Sequence, residues 1–476
     1  NNDKPRDPAH KRDSGVLLCL DETDGRMHWQ LTVPKLGPSM FLDWPHTGLV
    51  SPCTVEGNRV YLVSNRNEVM CLDIAGMSNG NDGPYRDEGT HMGLPDGPAE
   101  PVNATDADIL WLFDIDRELG VHQHDAAHCS ILIDGEYLYI NTSNGLDDTP
   151  GRIVSPDAPS LIVVDKNTGR LVACDRERMA PRTIHCTWSP PSLGSVGARR
   201  LAFFGGGDGI CYAFKALEPP SHVPLAACLP VSAPAGEPPV RIPVTRATDG
   251  LPASAPTAMP TLADKLPVAQ TSSRQTVATT QPAILERVWL FDCDPAAPRE
   301  NVHQYQDNRR EGPSNIYGMP VFCDNRIYIA SGGDFWHGKP IATLKCIDAT
   351  GTGDLTRKGE VWSYSLQRYC MSTPAIYDGL VYIGDCGRTV HCVDAATGKA
   401  CWTQDVAAEV WGSPLVADGK VYVGTRRGEL WVFKAGRELH VISTIDLDKP
   451  SNGTPTAANE TLYIATMNRL WAVALK

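Results

Sequence analysis

An all-β fold of four-stranded antiparallel blades, an eight-bladed β-propeller, is predicted by three observations in this 476-residue chain. A strand–turn–strand unit recurs near the C-terminus, where Pro374, Pro414 and Pro455 lie 40 and 41 residues apart. An Asp is followed eight residues later by Trp, at Asp21 to Trp29 and again at Asp394 to Trp402. Seven front halves of the unit begin near residues 51, 130, 189, 319, 373, 413 and 454, but eight third strands are present. The extra one, Leu17 to Asp21, has no hairpin before it, so the chain is expected to begin inside a repeat. Rings of this kind close by pairing strands from both termini, because an open edge invites aggregation. Seven blades with a composite closing blade is the alternative count.

Each element follows from local chemistry. In the clearest unit, Ser372-Thr-Pro-Ala-Ile-Tyr377 and Leu380-Val-Tyr-Ile-Gly384 flank Asp378-Gly379. Alternating β-branched and aromatic residues form strands, and Asp-Gly forms a tight hairpin. Thr389 to Asp394 gives the third strand, Ala395-Ala-Thr-Gly398 a turn, and the segment through Trp402 the fourth. Ser413-Pro to Val423-Gly424 with Leu430-Trp-Val-Phe433 repeats the pattern, as does Thr454-Pro to Ile464-Ala465 with Leu470-Trp-Ala-Val473. Earlier copies keep the landmarks. Ser51-Pro52 and Val60 to Val63 lead to Asp73 and Trp111, and Tyr137 to Ile140 leads to Asp165-Lys-Asn-Thr-Gly169. Ser189-Pro190 and Leu201 to Phe204 lead to Phe214 and Trp289, and Arg326 to Ile329 leads to Asp348 and Trp362. After Asp165 the Trp slot holds Ala173.

Residues 1–476 are read as a single propeller domain whose blade one is incomplete at the N-terminus. Residues 74–107, rich in Gly, Asn and Asp, form a long loop in blade two. Residues 217–282 carry thirteen prolines and no Phe, Trp or Tyr, and are expected to be an irregular insertion in blade four.

Composition narrows the function classes. Apolar residues at 42% and charged residues at 21% describe a folded chain. A net charge of −13 speaks against nucleic acid as partner, and no apolar run is long enough for a transmembrane segment. The fifteen cysteines include no C-x-x-C pair, which removes zinc ribbons and thioredoxin-like sites. Cys19, Cys71, Cys346 and Cys392 share one strand position and are expected to pack as small apolar groups.

The Asp-x-x-Thr-Gly-x-x-x-Trp signature, with Ser-Pro and Asp-Gly-x-Val-Tyr ahead of it, resembles the PQQ-like β-propeller repeat superfamily. That superfamily includes quinoprotein alcohol dehydrogenases and the envelope lipoprotein BamB, so the resemblance implies the fold and leaves function open. The dehydrogenases hold PQQ beneath a disulfide of adjacent cysteines, with calcium on Glu, Asn and Asp. This chain has no adjacent cysteines. No cofactor is therefore predicted, with PQQ and calcium as the alternative. The resemblance also implies a periplasmic or cell-envelope location.

Candidate binding residues lie between blades. Trp111-Leu-Phe-Asp114 precedes Val121-His-Gln-His-Asp125 and His128; Trp289-Leu-Phe-Asp292 precedes Val302-His-Gln-Tyr305; and His185 lies in Ile184-His-Cys-Thr-Trp188. His122, His124, Asp125, His128, His185 and His303 are thus candidate ligand-binding residues, with His122, His128, His185 and His303 expected on one face, part-exposed and titrating near neutrality. No metal site is predicted. Asn141 to Asp148 offers oxygen donors without EF-hand spacing, and Gly205 to Gly209 reads as a tight turn. The function expected is a non-catalytic binding or scaffolding module that contacts a protein partner or small ligand through its face loops. The alternative is an oxidoreductase of quinoprotein type with its site at the central channel.

Overall fold

The computed structural model describes residues 13–35, 47–93, 97–126, 129–147, 151–218 and 281–474. Blade 1 comprises Thr54–Glu56, Arg59–Val63, Glu68–Asp73 and Ile109–Asp114. Blade 2 comprises Leu132–Asp134, Tyr137–Asn141, Leu161–Asp165 and Leu171–Cys174, with Ala283–Ile284 added in parallel at its edge. Blade 3 comprises Ser192–Val196, Arg199–Gly205, Ile210–Lys215 and Arg287–Asp292, with Gly353–Asp354 as a parallel fifth strand. In blade 4, Ser314–Asn315 and Val321–Cys323 both pair with Arg326–Gly333, followed by Ala342–Asp348 and Glu360–Ser365. Blade 5 spans Ala375–Tyr377 through Ala400–Asp405, and blade 6 spans Leu415–Ala417 through Val441–Asp446. Blade 7 has three strands, Thr456–Ala458, Thr461–Ala465 and Leu470–Ala474.

The count of eight is thereby corrected to seven. Ser14–Leu20 and Met27–Pro34 form a two-stranded ribbon that pairs with no other strand among the described residues. Counting third strands overstates the number of blades, because a third strand without a front hairpin has no inner partner to build on. Nor does strand pairing make a composite blade. The ribbon meets blade 7 through side chains, Asn459 Nδ2 and Tyr463 Oη donating to the Glu22 carboxylate.

Adjacent sheets bury their apolar faces against each other, so the core is a series of seams. One holds Leu201, Phe203, Trp289 and Phe291 of blade 3 with Ile327, Ile329 and Ile347 of blade 4. Burying side chains of this size stabilises by roughly 1.5–3 kcal/mol each. At five seams a closing Trp gives direction. Indole Nε1 donates to the next sheet's backbone from Trp29 to Ile74 O (2.8 Å), Trp111 to Lys166 O (3.2 Å), Trp289 to Ala349 O (3.2 Å), Trp362 to Ala395 O (3.0 Å) and Trp402 to Gly436 O (3.0 Å). The Asp-x-x-Thr-Gly turn explains its own composition. Asp394 Oδ1 accepts from Thr397 N and Oγ1, and Gly398 at φ +72° leaves room for Trp362, which a Cβ would meet at 2.6 Å. Where Ala173 replaces the Trp, Leu285 fills the seam between blades 2 and 3, its backbone N bonded to Cys174 O.

The loop at 74–107 connects the third and fourth strands of blade 1 and includes the short helix Glu88–Met92. Most of the Pro-rich insertion lies outside the described residues. Its flanks join two adjacent strands of blade 3, and Lys215 N donates to Glu286 O at 2.8 Å.

Candidate functional site

Because successive strands in a blade run antiparallel, two sets of connections fall at opposite ends. The Asp-Gly hairpins and Asp-x-x-Thr-Gly turns share one end. The turns between second and third strands share the other end with the connections from one blade to the next. His122, His124 and Asp125 lie between blades 1 and 2, His185 between blades 2 and 3, and His303 between blades 3 and 4, all at that second end. His128 lies outside the described residues.

The structure brings His124, Asp125 and His185 together. The two imidazole centroids are 4.6 Å apart. Asp125 stands between the rings, with Oδ1 3.7 Å from His124 Nε2 and Oδ2 3.4 Å from His185 Nε2. Asp125 and Ala126 both have left-handed backbones, at φ +58° and +48°, which turns the carboxylate inward. His124 Nδ1 is 2.7 Å from Leu146 O, and His185 Nδ1 is 3.3 Å from Asp334 Oδ2. Asp334 follows the second strand of blade 4 and also accepts from Tyr317 Oη at 2.6 Å, Trp336 N at 3.0 Å and His337 N at 2.8 Å.

Both rings are buried, His124 to 2% exposure and His185 to 5%, and of the two His185 was expected to be part-exposed. Burial lowers the pKa of His124, with the His185 charge adding to it, to about 4. Burial also works against the His185 cation, but the carboxylates of Asp334 and Asp125 outweigh it and hold the pKa near 9. Asp334 is held well below the carboxylate range: burial opposes its charge, and His185 and its donors prevail. The pair therefore does not titrate near neutrality.

Aromatic rings surround this centre. Trp188 and Trp336 stack with centroids 5.7 Å apart, and His185 packs against both. Phe335 and Trp336 continue to Trp411, between blades 5 and 6, whose ring carries the Arg426 guanidinium at 3.7 Å. Trp336 is 37% exposed, so this aromatic group reaches the surface.

The remaining candidates make contacts of their own. His303 Nε2 is 3.0 Å from Thr183 O, and its ring lines a separate hollow of about 530 Å³ with Arg182 and Arg299. The backbone N of His122 donates to Asn144 Oδ1, and Asn141 and Asn144 use their amides on the Thr187 and Ser155 carbonyls. In Gly205–Gly209 the buried Asp208 pairs with Arg182 and Tyr212. Asp334, Tyr317, Trp336 and Trp411 were missed by sequence reasoning. The signal was the glycine-rich turn Gly332-Gly-Asp-Phe-Trp336, which matches Gly206-Gly-Asp208 in register.

Residues 343–476 match the family described as "Outer membrane protein assembly factor BamB". A segment of the chain is 32% identical over 123 residues to a quinohemoprotein alcohol dehydrogenase of Comamonas testosteroni, covering 23% of this chain and 17% of that protein. Another comparison gives 36% over 108 residues with a 1-butanol dehydrogenase (cytochrome c) of Thauera butanivorans, covering 19% and 16%. The matches thus span about a sixth of these relatives' length. BamB from Moraxella catarrhalis shares the fold, with a TM-score of 0.51 and 13% identity over 96% of this chain and 89% of that one. The resemblance to the PQQ-like propeller superfamily holds, without a close match to a characterised member.

Proposed function

We propose that this chain is a non-catalytic binding propeller of the cell envelope that grips a protein partner through the loops of its histidine-bearing face. The observation that carries this reading is the convergence of connections from several blades on one aromatic surface, formed by Phe335, Trp336 and Trp411 with Arg426 stacked on it. Tryptophan and arginine at the centre of a patch are the residues that dominate protein–protein affinity. The likeness of residues 343–476 to BamB supports a scaffold in the envelope. Among the described residues Cys53 is the only exposed cysteine, and burial drives the Cys186, Cys211 and Cys370 thiols well up, which makes them inert.

The second reading, a quinoprotein oxidoreductase, draws on the dehydrogenase segments. The residues at the face centre do not fit PQQ with calcium. Calcium takes oxygen ligands, whereas the converging donors include two imidazoles, and no two cysteines are adjacent.

Co-purification from the native envelope fraction tests the binding reading. A discrete partner should be captured by the wild type and lost in the Trp336→Ala/Trp411→Ala variant, with the thermal midpoint unchanged. An identical captured set for both proteins overturns it. Incubation with PQQ and calcium should leave the quinone absorbance unperturbed; a bound-quinone spectrum with alcohol-dependent dye reduction would favour the enzyme.

A further inference from the structure

We propose that His124, Asp125 and His185 hold one divalent transition ion of the zinc class, although no metal site is read from the sequence. One ligand atom from each residue lies within 4.8 Å of the other two. Tetrahedral zinc with bonds of about 2.0–2.1 Å needs ligand atoms about 3.3 Å apart. Asp125 offers one oxygen to each ring, Oδ2 at 3.4 Å from His185 Nε2 and Oδ1 at 3.7 Å from His124 Nε2, so a small rotation of the carboxylate brings a single oxygen toward that spacing from both.

Hydrogen bonding on the far side of each ring gives the stronger reason. A backbone carbonyl can only accept, so His124 Nδ1 carries the hydrogen it gives to Leu146 O. Asp334 Oδ2, already accepting from Tyr317, likewise receives the hydrogen of His185 Nδ1. An ion that takes the place of the His185 Nε2 hydrogen would meet the Nε2 lone pairs of both rings and the Asp125 carboxylate, because each Nδ1 is already held on its far side. Asp125 Oδ1 is itself buried with no hydrogen-bond partner. A histidine whose second nitrogen is held by a carbonyl or carboxylate is the usual outer arrangement of a metal site, and it orients the coordinating nitrogen. Two imidazoles with one carboxylate suit zinc and its first-row neighbours rather than calcium or magnesium. Asp334 is the positioning residue here, since it acts through His185.

The test uses the full chain, stripped with a chelator and titrated with Zn²⁺. One equivalent should bind, with affinity reduced at least tenfold in His124→Ala and in Asp125→Ala. Asp334→Asn should weaken it by about 10- to 100-fold. X-ray absorption at the zinc edge, on the wild type, should show only nitrogen and oxygen ligands, and it decides the matter even if a variant fails to fold. Sulfur ligands, failure to bind one equivalent, or affinity unchanged by His124→Ala would each overturn the proposal. It stands independently of what the face grips, because zinc binding without partner capture, or the reverse, separates the two.

Discussion

Asp116 illustrates how much one buried carboxyl can set. Burial, aided by Asp114 and Glu68 nearby, raises its pKa to about 7 against the single hydrogen bond from Asn67 Nδ2. The folded state then keeps this proton to near pH 7, whereas the unfolded chain releases it near 3.9, so folding takes up a proton between these values. Stability is expected to fall as pH rises through that window. Asp116→Asn, which retains an acceptor for Asn67, should be more stable than the wild type by about 1–2 kcal/mol at pH 8, after discounting for partial exposure, with the gain vanishing by pH 4. Urea midpoints at the two pH values check this. At the same scale, His124, Asp125 and His185 could be picked out in sequence because they precede first strands in repeated settings. Asp334 was missed, since its glycine-rich turn belongs to a different part of the repeat and nothing local ties it to His185, 149 residues away. Sequence order carries the period, but contact between loops of separate blades arises only when the ring closes.

The Asp-x-x-Thr-Gly turn was legible in full because its chemistry is local. Its glycine has two roles that substitution separates. Gly419, in an Asp-Gly hairpin at φ +65°, has nothing within 4 Å of an added Cβ, so Gly419→Ala should cost only the backbone term, about 1 kcal/mol. Gly398 has the same sign of φ and also the Trp362 ring against it, so Gly398→Ala should cost about 2–4 kcal/mol. Chemical denaturation of the two variants side by side gives the difference; equal losses would mean that the indole gives way freely. The same reasoning explains what sequence reading misjudged. Third strands were identified correctly, yet whether one belongs to a blade depends on partners brought by the rest of the chain, as Ser14–Leu20 shows.

Across the whole molecule, the insertion spans two neighbouring antiparallel strands. The Lys215-to-Glu286 backbone bond brings its flanks to hairpin distance. Joining them by a short Gly-Ser linker in place of residues 220–280 should leave the thermal midpoint nearly unchanged, because surface loops change stability weakly with length. A large drop in calorimetry would show that the segment is packed. The returning chain must be kept, however, since Leu285 occupies the place where Ala173 has no indole. The blades are consequently not interchangeable parts. Blades 4 and 5, moved as modules into another ring, bring their own fastening to the next neighbour. Blade 2 transplanted alone would arrive with a gap that a segment from beyond blade 3's third strand normally fills. Ala173→Trp could repair such a transplant, but in the native ring it would compete with Leu285 for one space.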